Sequence, residues 1–204
     1  MLNDYLKRIA ETSAQGDARE ESYYGQLSSF IDAFADSIGR PKIQITTLPK
    51  KTEAGNPDFR IWDGQHHIVG YIEAKKPGEN LDVIETSEQL KRYRSVFPNL
   101  ILTDFYEFRL YRNGQLVDKV AIARPFIAKK LKTIPPIENE EKFHALLGKF
   151  FAFTLPKVFS AESLASELAK RTRFLRDEVI AVELDLTPGP SPEARGARSP
   201  LQGL

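Results

Sequence analysis

Apolar residues recur along the chain with two distinct periods, and the switches between them mark out the elements. From Glu20 to about Ile38, the side chains Tyr24, Leu27, Phe30, Ile31 and Phe34 fall three and four residues apart. That spacing predicts an amphipathic helix, stopped by Gly39 and Pro41. The runs IQITTLP (43–49), FRIWDG (59–64) and HIVGYIEAK (67–75) are β-branched or aromatic and are separated by Gly, Asn, Asp or Gln. They predict three strands in an antiparallel meander. After Pro77, DVIETSEQLKRYRSVF returns to helical spacing through Val83, Leu90, Tyr93 and Phe97, and Pro98-Asn99 closes it before the apolar strand LILTDF (100–105). EFRLYRN, Gly114 and LVDKVAIA then form a hairpin pattern. The order helix, three strands, helix, strand, hairpin predicts an α/β sandwich: a mixed sheet with helices against it, the second helix crossing over into LILTDF.

Beyond this core, taken as residues 1–135, the pattern changes. Residues 136–186 carry NEEKFHALLGKFFAFTL and SAESLASELAKRTRFLRDEVIAVEL, which are helical, and Ser160 with Glu162 or Ser163 offers N-cap chemistry to the second. A helical extension is expected there. In residues 187–204, four prolines and three glycines among eighteen residues, with no aromatic, predict a disordered tail. No internal repeat is evident.

Composition narrows the chemistry. The 204 residues suit one main core, and with 41% apolar and 28% charged residues the chain has the make-up of a soluble protein. No apolar run approaches the roughly 18 residues of a membrane span, and MLNDYLKRIAETSAQ lacks the apolar stretch of a secretory signal. A cytoplasmic location is expected. The absence of cysteine removes disulfides, thiolate nucleophiles and sulfur-bound zinc, leaving oxygen-held hard metals. A net charge of +1 means that any nucleic-acid surface must be local. The candidates are Lys50-Lys51, Lys91-Arg92-Arg94, Lys129-Lys130-Lys132 and Lys170-Arg171-Arg173-Arg176, each of which also suits a solvated face. His66, His67 and His144 lack ligand spacing, and Trp62 fits sheet packing better than base stacking. Neither GxxxxGK[ST] nor GxSxG occurs.

The stretch GNPDFRIWDGQHHIVGYIEAKKP (55–77) holds the candidate chemistry. A hairpin turning at Asp63–His66 brings Asp58, before the first strand, and Glu73, near the end of its partner, to one end of the sheet. Glu73 and Lys75, two apart, share a strand face, and Ala74 leaves its carbonyl available. These charges fit outward residues of an ordinary sheet, with Asp58 capping a turn after Pro57. They fit equally the oxygen-rich, partly hydrated surroundings that magnesium accepts. The apolar run VGYI favours the second reading, because a carboxylate in such a strand needs a partner.

Gly55-Asn56-Pro57-Asp58-Phe59 followed by Ile72-Glu73-Ala74-Lys75 resembles the PD-(D/E)xK nuclease superfamily. The likeness is to the amino-terminal endonuclease domains of Type I single-polypeptide and fused restriction-modification enzymes. Gln89 and Tyr93 are similar to the QxxxY auxiliary motif of several branches, and Arg19-Glu20-Glu21-Ser22-Tyr23 to the acidic start of the first helix. The resemblance spans roughly residues 15–185 and implies a restriction-endonuclease-like mixed sheet flanked by helices. It also implies a Mg2+-dependent (or Mn2+-dependent) deoxyribonuclease acting on double-stranded DNA. Asp58, Glu73 and the Ala74 carbonyl would hold the metal, Lys75 would stabilise charge, Glu20 would be an accessory acid, and Gln89 and Tyr93 would orient Lys75 or a phosphate. Glu20 is preferred to Glu21 because it shares the helical stripe of Tyr24, Leu27, Ile31 and Phe34. The Pro/Gly tail departs from the family's methyltransferase part, so a shortened form is expected; the alternative is a DNA-binding or assembly module that keeps the fold without catalysis. Double-strand cleavage implies a transient homodimer on DNA.

Overall fold

The computed structural model describes residues 1–52, 54–65, 67–128 and 133–154, with Ala165, Leu168, Ala169 and Thr172. The chain divides into two units, Met1–Thr154 and Leu155–Leu204. Apart from Ala165, Leu168, Ala169 and Thr172, which are helical, the expected second helix of the extension lies outside the described residues, as do the tail, His66 and the two later basic patches. Among those described, no helix is long and apolar enough to cross a membrane.

The first unit is a six-stranded sheet in sequence order: β1 (Gln44–Thr47), β2 (Phe59–Trp62), β3 (Ile68–Ala74), β4 (Asn99–Thr103), β5 (Glu107–Arg112) and β6 (Gln115–Ala121). All neighbours pair antiparallel except β3 and β4, which run parallel with Tyr71 opposite Leu100 and Ala74 opposite Thr103. The meander, the crossover and the final hairpin expected from the apolar pattern are all present. A parallel pair requires such a crossover, and its strands are buried on both faces. Accordingly, Ile72, Ala74 and Ile101 join one apolar cluster, whereas Tyr71, Leu100 and Leu102 join another across the sheet.

Three helices cover the first face: α1 (Leu2–Ala14), α2 (Tyr24–Ser37), preceded by a 3₁₀ turn (Glu20–Tyr23), and α5 (Glu140–Phe151). Helix α1 is absent from the sequence reading, although Leu2, Tyr5, Leu6 and Ile9 carry its spacing and are buried. It docks through Tyr5, whose ring meets Phe30 at 4.9 Å and whose hydroxyl donates to the Phe105 carbonyl at 3.0 Å. Phe143 of α5 stacks on Phe30 and tilts against Phe108.

The other face is covered by α3 (Leu81–Glu85) and α4 (Glu88–Val96). The periodicity predicts one helix here; the chain makes two. Ser87 is the reason: its side chain accepts from the Leu90 N–H at 3.2 Å, capping a new helix. Val83, assigned to the apolar stripe, is 63% exposed because α3 turns it outward. Arg109 on β5 ties α3 to the sheet, donating to Asp82, Glu85 and Glu107 at 2.6–2.7 Å.

Helix α5 lies closest to the sheet at Gly70. A Cβ there would sit 2.6 Å from the Phe150 ring and 2.7 Å from the Asn99 carbonyl oxygen. Asn99, fully buried, donates to the carbonyls of Val69 and Phe150, so the close approach is also hydrogen-bonded. Gly70→Val should lower the unfolding free energy by about 1–3 kcal/mol or more through overpacking. Gly148→Ala, in open space on α5, should change it by less than about 1 kcal/mol, in the stabilising direction. Urea midpoints of the two variants check both expectations.

Candidate functional site

Asp58 enters β2 from a loop held at several points. The Leu48 N–H donates to the Asp58 carbonyl at 2.7 Å, extending the β1–β2 ladder. Upstream, Arg92 of α4 donates through Nε to the Ala54 carbonyl at 2.7 Å. Gly55, at φ +122, lies against Tyr93, where a Cβ would stand 3.2 Å from the ring. Such a φ is costly for any residue with a side chain. The loop bearing the Gly-Asn-Pro-Asp run is therefore fastened to the helix bearing Gln89 and Tyr93.

The Asp58 side chain, 8% exposed, bridges two elements. Oδ2 accepts the Ala74 N–H at 2.8 Å, and Oδ1 accepts the Tyr24 hydroxyl at 2.6 Å. The same hydroxyl lies 3.2 Å from Glu20 Oε1. Tyr24 is the site residue the sequence reading assigned only to the core stripe; its position four residues after Glu20 was the available signal. Glu21, by contrast, is exposed.

Glu73 is 2% exposed. Its Oε1 accepts from Lys75 Nζ at 2.6 Å and from Gln89 Nε2 at 3.1 Å, while Gln89 also reaches the Tyr93 hydroxyl at 3.2 Å. Gln89 thus contacts Glu73 rather than Lys75, because α4 passes over the β3 face that carries Glu73. Tyr93 is fully buried. Glu73 Oε2 is buried without a hydrogen-bond partner. Lys75 is fixed from behind: its N–H donates to the Thr103 carbonyl at 2.7 Å, and the next turn is pinned by the Gly78 N–H to Asp104 at 3.0 Å. Two hydrogen-bonded groups, Asp58 with Tyr24 and Glu20, and Glu73 with Lys75, Gln89 and Tyr93, therefore meet at the Ala74 amide that Asp58 accepts.

Burial sets the electrostatics. Desolvation, reinforced by the Asp58 charge, pushes the Glu73 carboxyl up to about 8 despite its ion pair with Lys75. Burial also raises Glu20, and the nearby Lys75 offsets this only in part. Burial pulls Lys75 downward, but Glu73, Glu20 and Asp58 outweigh it and leave the ammonium above its ordinary value. Burial and the bond to Asp58 raise Tyr24, which stays a protonated donor. Among the described residues no three His, Cys, Asp or Glu side chains form a cage for a metal ion. The groups here that could hold a hydrated hard cation are Asp58, Glu73, whose Oε2 is buried and unpartnered, and the Ala74 carbonyl.

The remaining candidates fall elsewhere. His67 is exposed and bonded to Asp63, and His144 packs beside Phe34 and Phe143. A cleft of about 200 Å³ lies beside Asp104, Tyr106 and Arg109. Its charges are already matched: Asp104 accepts three backbone N–H groups and Arg109 meets three carboxylates.

No family model matches the sequence. No curated protein matches it either. Among solved structures, the chain is similar to a protein in the cryoEM structure of the DrdV–DNA complex, with a TM-score of 0.53 and 24% identity. The match covers 89% of this chain and 17% of that one, so the chain spans about a sixth of that protein's length. The likeness shows the fold: a restriction-endonuclease-like mixed sheet flanked by helices.

A carboxyl that holds its proton up to about 8 when folded, against an ordinary value of 4.5, favours the folded state below the lower value. That contribution is lost as pH rises through the higher one. The metal-free protein should therefore lose stability between pH 4.5 and about 8. Glu73→Gln should flatten that slope, as measured by denaturation midpoints across the range.

Proposed function

We propose that the chain is a metal-dependent nuclease domain of the PD-(D/E)xK kind, hydrolysing phosphodiesters in double-stranded DNA as the endonuclease part of a restriction-modification system. The observation that carries this reading is the buried Glu73, one oxygen unpartnered, set beside Asp58 and paired to Lys75. An ordinary surface would not keep two carboxylates and an ammonium in so dry a place. The structural neighbour is a DNA complex, which supports DNA as the substrate.

Asp58, Glu73 and the Ala74 carbonyl would hold Mg2+ or Mn2+. When bound, such an ion supplies Lewis-acid stabilisation of the phosphate and a lowered pKa for its water. The chain's own groups do the positioning. The Ala74 N–H and the Tyr24 hydroxyl fix the Asp58 carboxylate. Gln89 and Lys75 both occupy Oε1 of Glu73, leaving Oε2 as its free donor atom. Lys75, a point charge at the open edge of the network, stabilises negative charge developing on the phosphate oxygens. Glu20 stands behind Tyr24 as an accessory acid near the same ammonium. Cutting both strands calls for two such sites, hence two copies meeting on DNA.

With Mg2+, the purified protein should convert supercoiled plasmid to nicked and linear forms, and EDTA should stop it. Lys75→Ala should still bind Mg2+ by calorimetry yet lose cleavage by about 10²-fold or more. DNA binding that ignores EDTA, with no cleavage at any protein concentration, would sink the catalytic reading in favour of a binding module.

A further inference from the structure

The strand register sets Arg60 on the sheet face that carries Glu73. Arg60 is paired across the sheet with Thr46 on one side and Tyr71 on the other. Glu73 lies two residues after Tyr71 on that same face, a row about 7 Å away, and Asp58, just outside β2, accepts the Ala74 amide next to it. The Arg60 guanidinium carbon lies 5.6 Å from the Trp62 ring centre and 5.8 Å from that of Tyr71. Trp62 is itself held by its indole N–H, donated to Thr46 Oγ1 at 3.2 Å. Two rings thus steady one cation.

No carboxylate among the described residues pairs with Arg60. Its guanidinium reaches the Lys50 carbonyl only at 3.5 Å, and its Nε is buried without a partner. Arg109, on the same sheet face under α3 and α4, and Arg94 of α4 each meet a carboxylate, as does Arg124. A half-buried arginine set beside two rings and left without a carboxylate partner suits a ligand that brings an anion. Lys50 and Lys51, exposed on the loop above it, continue the same charge.

We propose that Arg60, steadied by Trp62 and Tyr71, is a backbone-phosphate subsite that grips the DNA strand one step from the bond being cut, with Lys50 and Lys51 extending the track. This rests on the nuclease reading of Asp58 and Glu73. The contact carries no base information, so it serves register and affinity at every sequence. It gives the sole tryptophan a role as the support for Arg60 rather than as a stacking platform for a base.

The test compares wild type with Arg60→Gln and Arg60→Lys in Mg2+-dependent cleavage at graded salt, alongside anisotropy of a fluorescein-labelled duplex. Arg60→Met, which keeps the apolar stem between the rings, is the second variant should Arg60→Gln not fold. Loss of the charge should raise KM about tenfold with kcat within about twofold, and lower the slope of log affinity against log salt by about one. Arg60→Lys should keep the wild-type slope. A folded Arg60→Gln or Arg60→Met with unchanged KM and slope overturns the subsite alone. A wild type that neither cuts nor binds the duplex overturns the nuclease reading, and the subsite with it.

Discussion

The structure turns on one carboxylate held from two sides. Asp58 accepts the Ala74 amide with one oxygen and the Tyr24 hydroxyl with the other, joining β2, β3 and α2 at a point where the ladder alone would leave them free to splay. The amide it takes lies between Glu73 and Lys75, so the same bond fixes the strand segment carrying both. Charge-assisted hydrogen bonds of this length are among the stronger polar contacts in a fold. Here they act on the sheet end where every other candidate group converges.

That arrangement is electrostatically unfinished. Burial and Asp58 work against the ionised form of Glu73, while Lys75 compensates one of its oxygens and leaves the other bare. Desolvated ion pairs return little net stability, so nothing about folding alone calls for this cluster. The strain is confined to the open end of β2 and β3. Behind it, Gly70, Asn99 and Phe150 close the sheet against α5, and Arg109 closes the other face against α3, with their polar groups matched. Sheet faces closed by matched polar groups at Asn99 and Arg109, with a bare carboxylate oxygen at the open end, fit the expected division between structure and site.

Much of this was legible in the sequence, for particular reasons. The strands carried β-branched and aromatic runs separated by Gly, Asn, Asp or Gln, and the crossover followed from a helical run between two apolar strands. The spacing from Asp58 to Lys75 placed three charges at one sheet end because a hairpin leaves them nowhere else to go. What stayed hidden depended on tertiary or very local detail. Helix α1 had its spacing, but only contact with Phe30 and Phe105 makes it part of the core. Ser87 broke the crossover helix through a single cap that apolar spacing does not register. Tyr24 looked like any core aromatic, since its hydroxyl gains meaning only beside Asp58. Gln89 sat where the spacing put it, but its partner, Glu73, is set by how α4 crosses β3.

The lone parallel pair has a consequence for how the molecule assembles. The β2–β3 hairpin is local in sequence, so the Asp58–Ala74 bond closes only a short loop. Tyr71 meets Leu100 only after the whole segment through α3 and α4 has folded back, at a larger loop-closure entropy. The bond from Lys75 to Thr103 belongs to that second, non-local event, whereas Gln89 meets Glu73 across the same sequence separation as Asp58 and Ala74. Contact order therefore divides the end of β3 in two: an Ala74 amide tied to Asp58 through a nearby turn, and a Lys75 backbone held only once the crossover has brought Thr103 alongside.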